Sequence, residues 1–212
     1  MGRKKTPEVD TQATREKIIE TAERIFKEVG YAKTTVGDIA ASLGMSHSNV
    51  YRYFPTKAHI NEEICDRLVR GIEAMCLPSA DKGNSTKENL TRFILHYHRS
   101  IRERVFKGNK LYDMVSLAIQ QHWPVIQGHS VRLRRILESI LDKGVASGQL
   151  KKMDTFKMAR AIHEAIAVFV HPDLIARWVE EFGISGHENG VEEQLIYLAE
   201  AIIDGISLES AP

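Results

Sequence analysis

Apolar residues recur at the helical spacings i, i+3, i+4 and i+7 along most of the 212-residue chain. Glycine, proline and clusters of small polar residues interrupt these stripes, as helix ends and turns do. Alternating runs of β-branched residues and the short glycine turns that join paired strands do not occur in the sequence. The pattern therefore predicts an all-α fold with about nine helices.

The first apolar stripe predicts a helix that begins at Thr14 or Arg15 and ends before Gly30. Its inward positions are Ile18, Ala22, Ile25, Phe26 and Val29. A polar arm with basic residues at positions 3 to 5 precedes this helix. Such an arm can follow DNA phosphates or enter the minor groove, or it can be a solvated tail, and the sequence leaves both roles open.

Residues 34 to 57 contain two short helical patterns on either side of a glycine. The first pattern places Val36, Ile39, Ala40 and Leu43 on one face. Gly44 takes a positive φ at little cost, so the chain can turn sharply there. Ser46 is an N-cap candidate for the second helix, which buries Val50 and Phe54. This spacing predicts a helix-turn-helix, whose second helix can enter the major groove of DNA.

The same region resembles a known family, the TetR-like transcriptional repressors. The resemblance covers residues 22–60, and the elements G-Y-x-x-T-T, I-A-x-x-L-G and V-Y-R-Y-F-P-T-K keep the family's order and spacing. It implies a regulator that releases DNA when its C-terminal part binds a small molecule. Two positions stand out: Gly37 lies inside the first helix of the pair, at a cost of about 1 kcal/mol relative to alanine. His59 follows Thr56 by three residues, where the family usually has an acid.

The predicted DNA contacts are the polar and aromatic residues of the helix-turn-helix. The candidates are Thr34, Thr35, Ser46, His47, Ser48, Asn49, Tyr51, Arg52, Tyr53 and Lys57. Groups on the exposed early turns of the second helix are expected to reach base edges, namely His47, Ser48, Asn49 and Tyr51. Groups at helix starts and flanks are expected to meet phosphates, namely Thr35, Tyr53 and Lys57. The role of Arg52 is left open. The resemblance implies frequent family contacts at Thr34, Thr35, Tyr51, Tyr53 and Lys57.

The sequence predicts a division after residue 57, into a DNA-binding domain (1–57, with the basic arm) and a helical regulatory domain (58–212). A longer helix from Thr56 to about Cys76 is expected to link the two parts. Later stripes predict further helices, including 130–145, 154–170, a short one at 174–182, and a last one at 191–206.

A homodimer on a palindromic DNA site is expected, because one small helix-turn-helix reads too few base pairs for tight binding. Its interface is predicted on the helices at 156–170 and 191–206. The candidates are Phe156, Ile162, Ile166, Leu195, Leu198, Ile202 and Ile206. The alternative, in which these residues pack only inside one chain, stays open.

Large aromatic residues near helix breaks in the C-terminal part are typical of an apolar cavity with a few polar groups. The ligand-binding candidates are Phe93, Tyr97, Tyr112, Met114, Trp123 and His163. Simple core filling explains most of them equally well. The resemblance implies such a pocket, and the expected ligand is a small, largely apolar molecule.

The charge and the sequence motifs bear on several other possible functions. The whole chain has a net charge of +1, with ten basic and seven acidic residues in 1–57. The spacing of His96 with His98, and of His163 with His171, does not suit one metal ion. Catalytic motifs and phosphate-binding glycine loops are absent from the sequence, so neither an enzyme nor a cofactor is expected. Cys65 and Cys76 would lie about 16 Å apart on one helix, too far for a disulfide.

The absence of an apolar signal segment and of a long apolar run leads us to expect a cytoplasmic protein without a membrane partner. Two functions remain: a ligand-responsive DNA-binding repressor, and a helical DNA-binding adaptor without small-molecule input. A DNA-invertase-type enzyme with the same reading motif is disfavoured because no catalytic segment is present. The identity of the ligand, the operator and its genes, and the choice between repression and activation lie outside the sequence.

Overall fold

The computed structural model describes residues 7–81, 85–106, 111–171, 173–175, 177 and 188–208. The α-helices that lie wholly within these ranges are α1 (Pro7–Val29), α2 (Val36–Ser42), α3 (His47–Tyr53), α4 (Lys57–Cys76), α5 (Thr86–Ile101), α6 (Leu111–Gln120), α7 (Pro124–Ala146), α8 (Thr155–Ala165), α9 (Ala167–Val170) and α10 (Glu188–Ile206). A 3₁₀ turn follows α4 at Leu77–Asp81, and a π-helical turn follows α5 at Arg102–Phe106. Within these ranges there is no β-strand, only the isolated bridge between Leu150 and Ser207. The prediction of an all-α fold is confirmed.

Two helices are longer than their apolar stripes predicted, and both begin at a proline. Helix α1 begins at Pro7 instead of Thr14 or Arg15, and α7 begins at Pro124 instead of Ser130. Proline suits a first helical position because the missing N–H has no partner there and φ is already helical. The added turn of α1 at residues 11–13 is exposed, so it carries no apolar stripe. The basic residues 3–5 and most of the predicted helix at 174–182 lie outside the described residues.

Contacts within the chain divide it into two compact units, one of residues 1–68 with 108–125 and the other of residues 69–107 with 126–212. The predicted domain division after residue 57 stays a prediction. Helix α4 is continuous from Lys57 to Cys76, so the chain passes from the first unit to the second within one helix.

In the first unit, α1 to α3 and the part of α4 up to Leu68 bury a set of apolar side chains. Its buried side chains include Ile18, Ala22, Phe26, Ile39, Ala40, Val50, Phe54, Ile60 and Ile64. Val29 was predicted to face inward, but it is 43% exposed because the stripe ends one turn earlier, at Phe26. Arg15 pairs with Glu63 on α4, and its guanidinium lies 4.7 Å from the centre of the Phe54 ring. The start of α4 is thereby held against α1 and the end of α3.

The second unit is built around α5, which packs against α10. Its buried residues include Leu90, Phe93, Ile94, Ile101, Leu133, Leu137, Leu141, Leu195, Ala199 and Ile203. Gly144 permits a close approach at one end, where a Cβ would lie 2.7 Å from side-chain atoms of Thr86 and Leu150. Ion pairs join α5 to α10 at Lys87 with Asp204 and at Arg99 with Glu192. Apolar burial, with charged pairs at the rim, accounts for this arrangement.

Candidate nucleic-acid interface

Local hydrogen bonds fix the turn between α2 and α3. Helix α2 begins with a capping box, in which the Asp38 N–H donates to the Thr35 hydroxyl and the Thr35 N–H donates to the Asp38 carboxylate. Gly44 has φ of 63°, which a residue without Cβ adopts most easily. The Ser46 hydroxyl then accepts the N–H of Asn49 at 3.3 Å and caps α3. The chain therefore forms two short helices around a glycine turn.

Helix α3 separates apolar from polar side chains. Val50 and Phe54 are buried, while Ser46, His47, Ser48, Tyr51 and Arg52 are exposed. Asn49 and Tyr53 are half-buried. Most of the predicted base-reading residues thus lie together on an exposed surface of a short helix, as direct reading of base edges requires.

Thr34 differs from the other candidates because its side chain belongs to the core. It is 2% exposed, and its hydroxyl donates to the Gly30 carbonyl at 2.8 Å. This bond holds the loop before α2, so the Thr34 hydroxyl is not available to DNA while the loop keeps this form. Thr35 is exposed, although its hydroxyl also donates to the Asp38 carboxylate at 2.8 Å.

Lys57 has a structural role that the sequence did not predict. Its ammonium donates to the Tyr31 carbonyl at 2.8 Å and to the Thr34 carbonyl at 2.9 Å, and it lies 4.2 Å from the centre of the Tyr31 ring. Burial lowers the pKa of Lys57 from its ordinary value. Two of its three N–H donors are used by the loop, so at most one can reach a phosphate. The lysine therefore ties the start of α4 to the loop that precedes α2.

His59 performs part of the capping role that an acid would have at this position. Its backbone N–H donates to the Thr56 hydroxyl at 3.3 Å, and its Nδ1 lies 2.8 Å from the same oxygen. The Thr56 hydroxyl thus caps the first turn of α4, and the His59 ring contacts that hydroxyl, whereas the acid of a capping box accepts the backbone N–H of the N-cap residue.

The predicted ligand-binding residues fall into both units. Tyr112, Met114 and Trp123 belong to the first, while Phe93, Tyr97 and His163 belong to the second. Phe93 and Met114 are fully buried, Tyr97 is nearly so, and the other three are half-buried. Core packing explains Phe93 and Met114 without a ligand. The Trp123 indole N–H donates to the Gln121 side chain at 2.9 Å.

A buried polar network in the second unit was missed by the sequence reasoning. The Glu73 carboxylate of α4 accepts the Arg132 Nε–H at 2.8 Å and lies 2.6 Å from His129 Nδ1, both on α7. His129 Nε2 in turn lies 3.3 Å from the Tyr97 hydroxyl of α5. Burial alone would raise the pKa of Glu73, but the hydrogen bonds from His129 and Arg132 outweigh it and lower that pKa. Burial raises the pKa of Tyr97. The network links three helices through polar and charged groups.

The predicted dimer residues separate into core and surface positions. Ile162, Ile166, Leu195 and Ile206 are buried within one chain and are core residues, which corrects their assignment to a surface. Phe156 is 64% exposed, and Leu198 and Ile202 are half-buried. Tyr197 on α10 is 77% exposed, and Leu208, which follows that helix, is 50% exposed. We call Phe156, Tyr197, Leu198, Ile202 and Leu208 the outer apolar face.

Membrane spans and metal sites do not occur in the part of the chain that the structure describes. None of its helices combines the length and apolar character needed to span a membrane. In the same ranges, no three His, Cys, Asp or Glu side chains come together in a group that could hold a metal ion.

Two family models match this chain, one over each part of the fold. A model described as "Bacterial regulatory proteins, tetR family" matches residues 18–64. A second, described as "Tetracyclin repressor-like, C-terminal domain", matches residues 86–182. The first therefore covers most of α1 through the start of α4, and the second begins at α5.

Two curated relatives are similar in sequence. The HTH-type transcriptional regulator TtgR of Pseudomonas putida is 41% identical over 59 residues, which is 28% of this chain and 28% of TtgR. The match thus spans less than a third of that relative's length. The Biofilm operon icaADBC HTH-type negative transcriptional regulator IcaR of Staphylococcus aureus (strain Newman) is 28% identical over 137 residues, which is 65% of this chain and 72% of IcaR.

Solved structures share the fold over nearly the whole length. A TetR-family transcriptional regulator from Pectobacterium atrosepticum has a TM-score of 0.69 at 16% identity, covering 98% of this chain and 100% of that one. SmeT, the repressor of the Stenotrophomonas maltophilia multidrug efflux pump SmeDEF, has a TM-score of 0.65 at 20% identity, covering 95% of this chain and 94% of that one. With a capped helix-turn-helix, matches to both the N-terminal and C-terminal family models, and this shared fold, the chain belongs to the TetR family of transcriptional regulators.

Proposed function

We propose that this regulator is a repressor that binds a palindromic DNA operator as a homodimer and is released by a small, largely apolar molecule. The observation that carries the DNA-binding part is helix α3, which buries Val50 and Phe54 and exposes His47, Ser48 and Tyr51. A rigid short helix with an exposed polar surface matches the size and chemistry of the major groove. Such a protein acts where the DNA is, which we take to be the cytoplasm.

In this proposal the protein makes two kinds of contact with DNA, to base edges and to phosphates. His47, Ser48, Asn49 and Tyr51 read base edges, because they lie on the early turns of α3. The phosphate contacts come from Thr35, Tyr53 and the remaining N–H donor of Lys57, and Arg52 can serve either kind. Each lost phosphate contact is expected to reduce the slope of log affinity against log salt by about one.

The dimer in this proposal forms through the outer apolar face. Exposed aromatic and aliphatic side chains on neighbouring turns are typical of an obligate interface. Two reading helices held at a fixed separation then match two half-sites. The substitutions Tyr197→Glu and Ile202→Glu should yield a monomer by sedimentation, with weak operator binding. A dimer that persists in both variants would place the interface elsewhere.

Repression, as opposed to activation, is supported by the names of two similar proteins. IcaR is named a negative transcriptional regulator, and SmeT is named the repressor of a multidrug efflux pump. A bound repressor blocks transcription until it leaves the operator, so a signal must lower its DNA affinity. A small molecule in the C-terminal part is the proposed signal.

Helix α4 supplies the proposed coupling between the ligand and DNA. Lys57 at its first residue holds the loop before α2, and Glu73 near its end belongs to the buried network with His129 and Arg132. A ligand that favours one position of the Glu73 end shifts the separation of the two reading helices in the dimer. A coupling free energy of about 1–3 kcal/mol would weaken operator binding roughly five- to 150-fold.

Selection from randomised duplex DNA with the full-length chain tests the DNA-binding proposal. We expect an enriched palindrome, bound in a gel-shift assay by the parent and weakly by Ser48→Ala with Tyr51→Ala. The control Ser139→Ala changes an exposed residue of α7 outside the proposed dimer surface and should bind like the parent. Failure of the parent to enrich any sequence would overturn the proposal.

A separate assay distinguishes a ligand-responsive repressor from an adaptor without small-molecule input. A library of apolar metabolites and drugs is screened for a change in intrinsic tryptophan fluorescence and for release of the enriched operator. Release that saturates with the ligand supports the repressor. Ligands that bind in the C-terminal part while operator affinity stays constant would favour the adaptor.

A further inference from the structure

Gly37, in the first turn of α2, leaves space that the His47 ring occupies. A Cβ at this position would lie 2.9 Å from His47 Nε2 and 3.0 Å from His47 Cε1. Carbon atoms of a packed protein do not approach this closely, so an alanine would displace the ring. The backbone of Gly37 is ordinary α-helix, so its conformation does not require glycine. What matters at this position is the space left by the absent side chain, which the His47 ring occupies.

The ring of His47 therefore lies beside a rigid part of the molecule. The same Cβ position is 3.2 Å from the Thr35 hydroxyl oxygen. That hydroxyl is held by the Asp38 N–H at 3.1 Å, and the Thr35 N–H is held by the Asp38 carboxylate at 2.7 Å. The hydrogen bonds from Thr35 lower the pKa of Asp38, and the nearby His47 lowers it further. A histidine against this cap has fewer available rotamers than one that projects freely into solvent.

We propose that Gly37 is a specificity-determining residue: it lets the His47 imidazole rest against the first turn of α2 and so fixes how this first residue of α3 meets a base edge. The inference rests on the proposed function, in which α3 reads DNA. Gly37 itself touches no base in this proposal and acts as a positioning residue through His47.

The arrangement explains why glycine stands in the first turn of α2. Alanine at this position is the better helix former, so Gly37→Ala should leave the melting temperature unchanged or raise it. The exposed His47 ring can rotate away from a new methyl group, so the fold is preserved. The freed ring then loses its fixed direction. A purely structural role of Gly37 would not separate stability from DNA sequence preference in this way.

A double-mutant cycle on the full-length chain tests this. The operator recovered by selection and each of its single-base variants are titrated with the parent, Gly37→Ala, His47→Ala and the double variant. We expect Gly37→Ala to reduce discrimination by about tenfold at the base pair that His47 reads, with an unchanged or higher melting temperature. In the His47→Ala background, Gly37→Ala should not change base-pair discrimination any further. The nuclear Overhauser contact between the His47 ring and the Gly37 α-protons should be present in the free parent and lost in Gly37→Ala.

A matched control is Gly71→Ala on α4, where a Cβ would lie 2.9 Å from Arg104 Nη1. It introduces a comparable clash with the end of a flexible side chain in the second unit, and it should leave base preference intact. If His47→Ala changes base preference but Gly37→Ala does not, the positioning role is overturned. If His47→Ala keeps the parent's preference, the positioning role is also overturned, because His47 does not read a base, although DNA binding stands. If the parent binds no DNA at all, the proposed function itself fails.

Discussion

Helix α3 exposes its polar side chains, whereas the second unit buries polar side chains between its helices. On α3, Ser48 and Arg52 are exposed around a buried Val50. In the second unit, Glu73 and His129 are buried and hydrogen-bonded between α4 and α7. Exposed groups can change without loss of folding free energy, but a buried charged group that loses its partner becomes a large cost.

The two regions are therefore suited to different functions. A reading helix can acquire a new DNA sequence while its core stays the same. A buried polar network instead ties any change of charge or position to the packing of several helices, which suits a part of the molecule that must respond to a signal. Substitutions in the two regions should therefore affect different measurements, with the largest losses of stability in the buried network and the smallest on α3.

The largest effect is expected for Glu73→Ala. It leaves His129 buried and removes both carboxylate oxygens that Arg132 contacts, so we expect a loss of about 2–4 kcal/mol in the free energy of unfolding. Arg132 is partly exposed and can recover water, which keeps the loss below that of a fully buried pair. Chemical denaturation measures it. Glu73→Gln keeps an acceptor of the same shape and should lose less; equal losses in the two variants would show that charge matters more than shape.

Lys57→Met should have the next largest effect, because it removes two hydrogen bonds from a charged donor to the loop carbonyls of Tyr31 and Thr34. We expect a loss of about 1–2 kcal/mol of stability in chemical denaturation, since the thioether chain keeps the apolar packing. The salt slope of operator binding should also fall by about one if the third N–H donor reaches a phosphate.

Lys33→Met is the matched control for Lys57, because Lys33 is exposed in the same loop. It should leave the free energy of unfolding within about 0.5 kcal/mol of the parent. A stability loss in Lys57→Met with an unchanged salt slope would assign Lys57 to the loop alone. A changed salt slope without a stability loss would contradict the loop contacts.

The sequence predicted the first unit well because its signals are local. The stop at Gly44, the cap at Ser46 and the burial of Val50 and Phe54 depend on residues within one or two turns of each other. The contacts of Lys57 with a loop more than twenty residues away were missed. Periodicity reports which side of a helix is apolar, but not which backbone carbonyls come close in three dimensions.

The second unit was harder to predict for the same reason. Glu73 and His129 are 56 positions apart, and neither is apolar, so no periodic pattern joins them. Leu195 and Tyr197 show a second difficulty. Both are large and lie on one helix, but one is core and the other is exposed. An apolar pattern alone does not say whether its own chain or a second copy covers it.

A smaller effect is expected from pH. Burial lowers the pKa of His98, outweighing the hydrogen bond to the Phe169 carbonyl, which raises it. The unfolded chain binds a proton near its ordinary pKa of about 6.5, while the folded chain resists protonation. The contribution of His98 to stability should therefore be fully present above a pH of about 6.5. It should decline as the pH falls through the lower pKa of the folded state. His163, whose pKa burial also lowers, acts in the same direction.

Denaturation at about pH 7.5 and about pH 5.5 measures this dependence. His98→Asn keeps an N–H donor for the Phe169 carbonyl but does not titrate, so its stability should vary less with pH than that of the parent. The lowered pKa of Glu73 contributes at more acidic pH, because its stabilisation is lost only as the pH falls through the folded value. If the parent instead became more stable between these two pH values as the pH falls, the predicted direction of the pH dependence would be contradicted.

The smallest effect on stability is expected on α3, where Ser48→Ala and Arg52→Ala should each change the free energy of unfolding by less than about 0.5 kcal/mol. Both side chains are exposed, and neither takes part in the Ser46 cap or the apolar core. Operator binding should nevertheless fall, and for Ser48→Ala the loss should depend on the base sequence. Ser46→Ala is the contrasting variant: it removes the cap and should cost about 1 kcal/mol. Loss of stability in Ser48→Ala equal to that in Ser46→Ala would show that α3 cannot change its surface independently of its fold, and the contrast between the two regions would not hold.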